Sequence, residues 1–195
     1  MRRVAVIASA SGCGKTTVGG TLAGRLGVPF HELDALNHGP NWTEATPDEL
    51  RARVEPLLEG DGWVIDGGYQ GKLGDLVLEA ADVVVWLDLP RRVWLPRLLR
   101  RTIRRIVTRE ELWAAGNRET MRTALVGRDA LFPFALRAFR RRRREYPGRL
   151  ARFRVARLRS QSEVDAFVRL VSDYVSDFSR TRALGLEQTE EHVSD

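Results

Sequence analysis

The stretch Ser9-Ala10-Ser11-Gly12-Cys13-Gly14-Lys15-Thr16 decides the fold that we predict for this chain. A short apolar run over residues 3–9 precedes it and predicts a buried β-strand, because Val and Ile are concentrated there. After the stretch, apolar residues spaced by four up to Leu26 predict a helix that Gly27 ends. A glycine-rich loop between a strand and a helix is the sequence context of a phosphate-binding loop.

The residue types in this loop suit a triphosphate. Glycines allow backbone conformations in which N–H groups face an anion, and the helix that begins at Lys15 offers its positive end. Lys15 is predicted to reach the β- and γ-phosphates, and the Thr16 hydroxyl to ligate Mg²⁺. The usual sequence pattern of a phosphate-binding loop has its first glycine at the position of Ser9. This difference affects the opening turn of the loop but not the backbone N–H groups predicted to surround the anion. We therefore predict ATP and Mg²⁺ as cofactors, with these cofactor-binding residues: Ser9, Ala10, Ser11, Gly12, Cys13, Gly14, Lys15, Thr16 and Thr17.

Lysine is nearly absent from the chain, and this draws attention to the lysine of the loop. Lys15 and Lys72 are the only two lysines, whereas the sequence has 30 arginines. A compact ammonium group fits where a planar guanidinium group does not. The retention of Lys15 therefore indicates a function before any motif is considered.

Charge is unevenly spread along the chain. The net charge is +6, but residues 91–159 hold 22 arginines against five acidic residues, and the remaining residues are net acidic. Such a basic block predicts an anionic partner, either nucleotide phosphates, nucleic acid or an acidic surface. The alternative is that most of these arginines lie on solvated helix faces.

Composition places the chain among globular proteins of one domain. No apolar run approaches the roughly 20 residues that cross a bilayer, and the N-terminal run is too short for a signal peptide. One cysteine, Cys13, excludes an internal disulfide framework. We expect a cytoplasmic protein with no membrane partner.

Strands alternate with helices after the loop, which predicts an α/β fold with a parallel sheet and helices on both faces. We expect residues 34–45 to form a polar loop, residues 107–150 to be mostly helical, and residues 1–178 to form a single domain. The polar tail over 179–195 is expected to be disordered. Further strands are predicted at 28–33, 63–66, 83–87 and 153–158, and further helices at 46–58, 71–80, 90–106 and 161–178.

Two aspartates that end apolar strands are candidates for the magnesium site. Asp66 follows Trp63-Val64-Ile65 and precedes Gly67-Gly68, which allow a substrate to approach the backbone closely. Asp88 follows a longer apolar run, but it also precedes a helix whose N-terminus it would favour. We favour Asp66 for the metal, and Asp88 remains the alternative.

Asp34 is the candidate for contact with a phosphate acceptor. It follows the second predicted strand, and ligands bind at the carboxyl edge of a parallel sheet. A carboxylate there can take the proton of an attacking hydroxyl, although a turn aspartate is the simpler explanation. Trp42, Gly67, Gly68 and Tyr69 are predicted to contact the same substrate, and the nearby histidines are left out of the catalytic set.

Arginines of the basic block are candidates for stabilising charge during phosphoryl transfer. Arg97 and Arg101 share a helix face, as do Arg118 and Arg122, although each alone is more often a surface residue. The run of five over residues 140–144 is predicted to lie at a helix end, where it complements the helix dipole. Contact with nucleic acid is the alternative for that run.

Several segments together resemble the adenylate-kinase-like P-loop proteins known as topology modulation proteins. The resemblance covers residues 1–178. It rests on the loop and on Leu33-Asp34-Ala35-Leu36, Val64-Ile65-Asp66-Gly67-Gly68-Tyr69, Trp86-Leu87-Asp88-Leu89-Pro90, and the segments 109–119 and 155–163.

This resemblance implies a sheet of five parallel strands in the order 2-3-1-4-5, as in nucleoside-monophosphate, shikimate and gluconate kinases. Asp66-Gly67 matches the Asp-Gly of adenylate kinases, which supports Asp66 as the metal residue. Arg97 and Arg101 match the arginine pair at the start of the lid, residues 107–150 would close over ATP, and Arg159 joins the nucleotide-binding residues. The Phe-Pro-Arg that follows Asp-Gly in adenylate kinases is replaced here by Gly68-Tyr69-Gln70, which argues against AMP as the acceptor.

Three functions are consistent with these features. The first is an ATP-dependent kinase with catalytic residues Lys15, Asp34, Arg97, Arg101 and Arg118, acting on a nucleotide or small metabolite that the sequence does not identify. The second is a regulatory nucleotide-binding protein that contacts nucleic acid through residues 137–144. The third is a phosphotransferase that modifies an antibiotic or a sugar. It shares the mechanism of the first and differs in its acceptor pocket.

Overall fold

A parallel sheet forms the centre of the molecule. The structure, a computed structural model, describes residues 1–113, 116–121, 124 and 130–183. In this described part of the chain, five parallel strands form the main sheet in the order β2-β3-β1-β4-β7, which confirms the predicted fold class and strand order. The strands are β1 (Arg3–Ala8), β2 (Phe30–Glu32), β3 (Trp63–Asp66), β4 (Val83–Leu87) and β7 (Val155–Leu158).

Helices cover both faces of this sheet, and each face has its own apolar core. A two-stranded antiparallel hairpin, β5 (Glu111–Leu112) and β6 (Asn117–Arg118), lies outside the main sheet. No helix among the described residues has the length and apolar character needed to cross a membrane. The helices are α1 (Lys15–Leu26), α2 (Leu33–Asn37), α3 (Pro47–Leu58), α4 (Gln70–Leu73), α5 (Leu76–Ala80), α6 (Arg91–Thr108), α7 (Leu131–Arg149) and α8 (Gln161–Ala183), with a 3₁₀ turn at Pro40–Trp42.

Burial explains why the strands form where they do. Val4 to Ala8 in β1 and Val83 to Leu87 in β4 are buried, as expected for strands of a parallel sheet that helices cover on both faces. The strand register pairs Val6 with Asp66 and Ala8 with Leu87. The residues that follow β1, β3 and β4 therefore meet at one edge of the sheet.

Local signals in the sequence correctly located several helix ends. Gly27 ends α1 in a left-handed conformation with φ of 63°, which glycine adopts without strain. At the start of α3, the Thr46 hydroxyl accepts from the Glu49 N–H, and the Glu49 carboxylate accepts from the Thr46 N–H. This reciprocal pair is the predicted capping box.

Three expectations about the elements were wrong. Residues 34–45 are not one loop, because α2 and the 3₁₀ turn occupy most of it. The helix expected at 71–80 is two short helices, separated at Gly74, whose φ is 62°. The helix predicted at 161–178 is longer, because α8 continues to Ala183. The described residues of 107–150 are mostly helical, as predicted, and they also include the β5–β6 hairpin. Residues 184–195 of the predicted tail lie outside the described residues.

Candidate active site

Two glycines determine the backbone conformation of the loop over residues 9–16. Gly12 and Gly14 have φ of 84° and 87°, conformations that strain other residue types. A Cβ atom on Gly12 would lie 2.7 Å from the carbonyl oxygen of Trp94, so any side chain there would also collide with α6. α1 begins directly after Gly14, and its N-terminus carries the positive end of the helix dipole. The loop therefore provides the geometry of an anion site.

Asp66 lies at the loop, where the side chains of Lys15 and Thr16 both bind it. Lys15 Nζ lies 3.0 Å from Asp66 Oδ1, and the Thr16 hydroxyl donates to Asp66 Oδ2 at 2.8 Å. Burial lowers the pKa of Lys15, but the negative charges of Asp66 and Asp34 outweigh it and raise that pKa overall. Lys15 is therefore a cation at neutral pH.

The residues at this point fit a magnesium ion. Mg²⁺ takes hard oxygen ligands and in nucleotide sites is bound by one or two protein groups together with phosphate oxygens. The Thr16 hydroxyl and the Asp66 carboxylate are such groups, and they touch one another. Among the described residues, no group of three or more His, Cys, Asp and Glu side chains could hold a metal by itself.

Asp88, the alternative metal residue, has other partners. Arg157 Nη2 lies 2.6 Å from Asp88 Oδ2, and Arg143 Nε lies 3.0 Å from Asp88 Oδ1. The Ser9 hydroxyl donates to Asp88 Oδ1 at 2.8 Å and accepts from Trp86 Nε1 at 2.9 Å. The Ser9 N–H also donates to the carbonyl of Leu87. Ser9 thus ties the start of the loop to the end of β4, which gives a structural reason for serine at this position.

We expect replacement of Asp88 to destabilise the fold. The carboxylate is buried, whereas the side chains of Arg143 and Arg157 are partly exposed, so Asp88→Ala would remove two ion pairs and the acceptor of the Ser9 hydroxyl and lower the free energy of unfolding by about 2–3 kcal/mol. The measurement is urea or thermal unfolding. Glu145→Ala removes an exposed partner of Arg141 and serves as the control, with an expected loss of about 0–1 kcal/mol. Equal losses for both variants would contradict the structural role of Asp88.

The arginine run over 140–144 lies within α7 rather than at its end, and part of it turns inward. Arg142 Nη1 donates to the carbonyl oxygen of Ala8 at 3.2 Å, at the point where β1 enters the loop. Arg143 binds Asp88, as described above. Two of the five arginines therefore contact the edge of the sheet that carries the glycine loop.

Asp34 and Tyr69 form a second polar centre beside the loop. The Tyr69 hydroxyl donates to Asp34 Oδ1 at 2.7 Å and lies 3.5 Å from His38 Nε2. Burial, and then the charge of Asp34, raises the pKa of Tyr69, so its hydroxyl stays protonated and acts as a donor. Gly67 has φ of 129°, and the chain passes close to Leu33 at this point. A Cβ atom added to Gly67 would lie 2.9 Å from the Cβ atom of Leu33.

An aromatic cluster joins the hairpin to the segment that carries Trp42. The rings of His38 and Trp113 stack with centroids 5.0 Å apart, and Trp42 meets Trp113 edge-on at 5.7 Å. Asn117 of β6 is buried, accepts from the Trp42 N–H at 2.7 Å and donates to the carbonyl of Gly39 at 2.9 Å. The hairpin therefore packs on the segment 39–42, which carries the predicted substrate residue Trp42.

We expect Asn117→Ala to release the hairpin. Two hydrogen bonds worth about 1 kcal/mol each would be lost, which lowers the equilibrium constant for docking of the hairpin roughly 30-fold. Acrylamide quenching of tryptophan fluorescence measures the release, because Trp63, Trp86 and Trp94 are buried and do not contribute. Quenching should rise in Asn117→Ala and stay unchanged in Met121→Ala, which alters an exposed side chain next to the hairpin. Unchanged quenching in both variants would show that Asn117 does not hold the hairpin.

The predicted arginines differ in their surroundings. Arg101 of α6 is half-buried, and burial, together with the charge of Arg105, lowers its pKa, while Glu119 and Asp34 oppose this. Arg97 is exposed and binds Gln161 at 2.8 Å. Arg118 and Arg159 are also exposed, and Arg122 lies outside the described residues.

Sequence reasoning missed three residues of this region. Lys72 Nζ binds Asn37 Oδ1 and Glu44 Oε2, both at 2.7 Å, and the carbonyl of Ala45 at 2.8 Å, so it anchors the segment 37–45. Its rarity was a usable signal, because it is the only lysine besides Lys15. The contacts of Asn117 and Arg142 span more than 70 residues and have no local signal.

Comparison with known proteins identifies the fold. No family model matches the sequence, and no curated protein matches it. A shikimate kinase from Bacteroides thetaiotaomicron has a TM-score of 0.51 and 18% identity, with 90% of this chain and 98% of that chain covered. A gluconokinase from Sinorhizobium meliloti 1021 has a TM-score of 0.50 and 19% identity, with coverage of 94% and 97%. A shikimate kinase from Acinetobacter baumannii in complex with shikimate has a TM-score of 0.50 and 17% identity, with coverage of 97% and 97%. The chain therefore has the P-loop kinase fold.

Proposed function

We propose that this protein is an ATP-dependent kinase that transfers the γ-phosphate of ATP to a hydroxyl group of a small molecule. The observation that carries the proposal is the contact of Asp66 with both Lys15 and Thr16 at the mouth of the glycine loop. Kinases with the same fold support it, since their substrates are small molecules. A cytoplasmic location and the relation to the topology modulation proteins are parts of the same proposal.

The loop residues would bind the nucleotide. In this proposal the backbone from Ala10 to Thr17 surrounds the phosphates, and Lys15 leaves Asp66 to contact the β- and γ-phosphates. Thr16 and Asp66 would hold Mg²⁺, which, when bound, neutralises charge on the phosphate oxygens. Arg101 would stabilise the transferred group, since it is half-buried and the charge of Asp34 acts on its pKa. The lid, residues 107–150, would have to move before Arg97, Arg118 and Arg159 could help to stabilise the transferred group.

Asp34 would act as the general base. An acceptor hydroxyl beside Asp34 gives its proton to the carboxylate as its oxygen bonds to the γ-phosphorus. The bond from that phosphorus to the bridging oxygen breaks, and ADP leaves with the bonding electrons. Tyr69 holds Asp34 by a hydrogen bond, and Trp42, Gly67 and Gly68 would complete the acceptor pocket. Residues 1–178 act as one domain in this mechanism, with 107–150 as its moving part.

A nucleic-acid function has less support. It requires the arginines of residues 137–144 to face a polyanion, but Arg142 binds the carbonyl of Ala8 and Arg143 binds Asp88. The positive charge of Arg142 and Arg143 is therefore directed at the sheet edge that carries the glycine loop. This arrangement favours a role near ATP over a role in binding a polyanion.

The proposal is tested by incubating the protein with Mg²⁺ and ATP labelled at the γ-phosphate, together with a panel of hydroxyl compounds. Transfer of label to one of them above the background of hydrolysis is the expected result. Binding of Mg·ATP is measured in parallel by calorimetry. A protein that binds no Mg·ATP would refute the proposal outright.

A further inference from the structure

The outer face of α6 carries charge and apolar surface that the proposed kinase mechanism does not use. Over Arg91–Thr108 this helix has seven arginines and no acidic residue. Arg97 and Arg101 have roles in that mechanism, and the other five arginines have none. A helix with so much positive charge and no acidic residue of its own attracts an anionic partner.

A row of apolar side chains runs along this outer face. Leu99, Ile103 and Val107 are spaced by four residues, so they lie on one side of the helix, and their exposed fractions are 47%, 50% and 76%. The inward side of the same helix is equally regular, with Leu98 and Thr102 buried. The apolar row is therefore not part of the core. Large apolar side chains exposed together, with polar residues at their rim, mark an interaction surface.

Arginines flank the apolar row. Arg92 and Arg100 are exposed, and they make no hydrogen bond or ion pair within the part of the chain that the structure describes. Arg104 binds Glu110 at 3.1 Å, but its side chain remains 66% exposed. Glu110 is the first acidic residue after the helix, and Arg105 binds it as well. The negative charge of Glu110 is therefore offset, and positive charge borders the apolar row.

An anionic lipid bilayer fits this combination better than other polyanions. Apolar side chains on the outside of a helix enter the boundary between headgroups and acyl chains, while arginines beside them reach the lipid phosphates. A nucleic-acid duplex offers phosphates but no apolar layer for a row of Leu, Ile and Val. Amphipathic peptides bind in apolar grooves, whereas this row lies on the outer side of a single helix.

We propose that the outer face of α6 binds the surface of an anionic lipid bilayer, with the apolar row among the headgroups and the flanking arginines on the lipid phosphates. Such a contact is peripheral and needs no spanning segment. The expectation of no membrane partner rested on the lack of a spanning run, so it did not consider a contact of this kind. Lipid binding at this face is independent of the proposed kinase function.

Vesicle sedimentation with the full-length protein tests the contact. One set of vesicles is pure phosphatidylcholine, and the other contains equal amounts of phosphatidylcholine and phosphatidylglycerol. We expect binding to the anionic vesicles to be about 30-fold tighter, because each arginine near an anionic surface contributes about fivefold. Equal binding to the two kinds of vesicle, or binding to neither at up to about 1 mM lipid, would overturn the proposal.

Variants of α6 locate the contact. Val107→Gln and Ile103→Gln should each weaken binding to the anionic vesicles about tenfold, and Arg100→Gln should weaken it about fivefold. Leu170→Gln and Arg169→Gln change exposed residues of α8 and are the matched controls, with no expected effect. Because Ile103 and Val107 are at least half exposed, their variants should fold, and circular dichroism checks this.

Two results would assign the face to another partner. If Arg100→Gln weakens vesicle binding while Val107→Gln and Ile103→Gln do not, the face recognises charge alone and the bilayer proposal fails. Binding of poly-L-glutamate and of a DNA duplex of about 20 base pairs is measured by fluorescence anisotropy. Binding of either polyanion that falls about tenfold in Val107→Gln, without a matching loss on vesicles, would show that the apolar row serves that polyanion instead.

Discussion

Lys15→Ala is expected to reduce phosphoryl transfer by about 1,000-fold or more, which corresponds to ~4 kcal/mol of barrier. The ammonium group is the loop's own charge for the phosphates, and the structure holds it at the loop by its 3.0 Å contact with Asp66. When it is removed, the β- and γ-phosphates lose their direct cation while the backbone cradle remains. Single-turnover transfer of labelled phosphate measures the effect.

Two further measurements are needed to interpret the transfer rate of Lys15→Ala. Circular dichroism must show that Lys15→Ala is folded, because the variant leaves Asp66 buried with Thr16 as its remaining partner. Lys15→Arg keeps the charge but replaces the slim ammonium group by a planar guanidinium group, so it should also be poor in transfer. Wild-type turnover in a folded Lys15→Ala variant would eliminate the kinase mechanism.

The sequence predicted those features of the fold that depend on local chemistry. The apolar runs of β1, β3 and β4, the end of α1 at Gly27 and the capping box at Thr46 are each decided within a few residues. The glycine loop between β1 and α1 was predictable for the same reason, because its residues are neighbours in the sequence. For these elements, pattern and structure agree because burial and capping need no distant partner.

Other features depend on distant contacts and were not predictable. The strands β5 and β6 have two residues each and gain their position from Asn117, which binds the segment around Trp42. Asp66 and Asp88 look alike in sequence, since each ends an apolar strand. What separates them is Arg143 of α7 and Arg157 of β7, which bind Asp88 and leave Asp66 to the loop. The spacing of residues along the chain does not indicate that Arg143 and Arg157 bind Asp88.

Asp34→Asn is expected to lower the rate of transfer by about 100- to 10,000-fold while the affinity for Mg·ATP stays unchanged. The amide oxygen still accepts the hydrogen bond from the Tyr69 hydroxyl, so the local geometry survives. The amide does not accept a proton from the acceptor hydroxyl, so the chemical step loses its base. Burst kinetics for transfer, together with calorimetry for Mg·ATP, separate the two effects.

Tyr69→Phe is the companion variant, because it removes the hydrogen bond and keeps the base. Loss of this single bond to a carboxylate should cost roughly tenfold in transfer, about 1.4 kcal/mol, and much less than loss of the carboxylate itself. If Asp34 were only a turn residue, Asp34→Asn and Tyr69→Phe would both leave the rate of transfer near that of the wild type. If Asp34 instead served the nucleotide, the affinity for Mg·ATP would fall in step with the rate. A large fall in rate at constant nucleotide affinity is the result that only a base beside the acceptor explains.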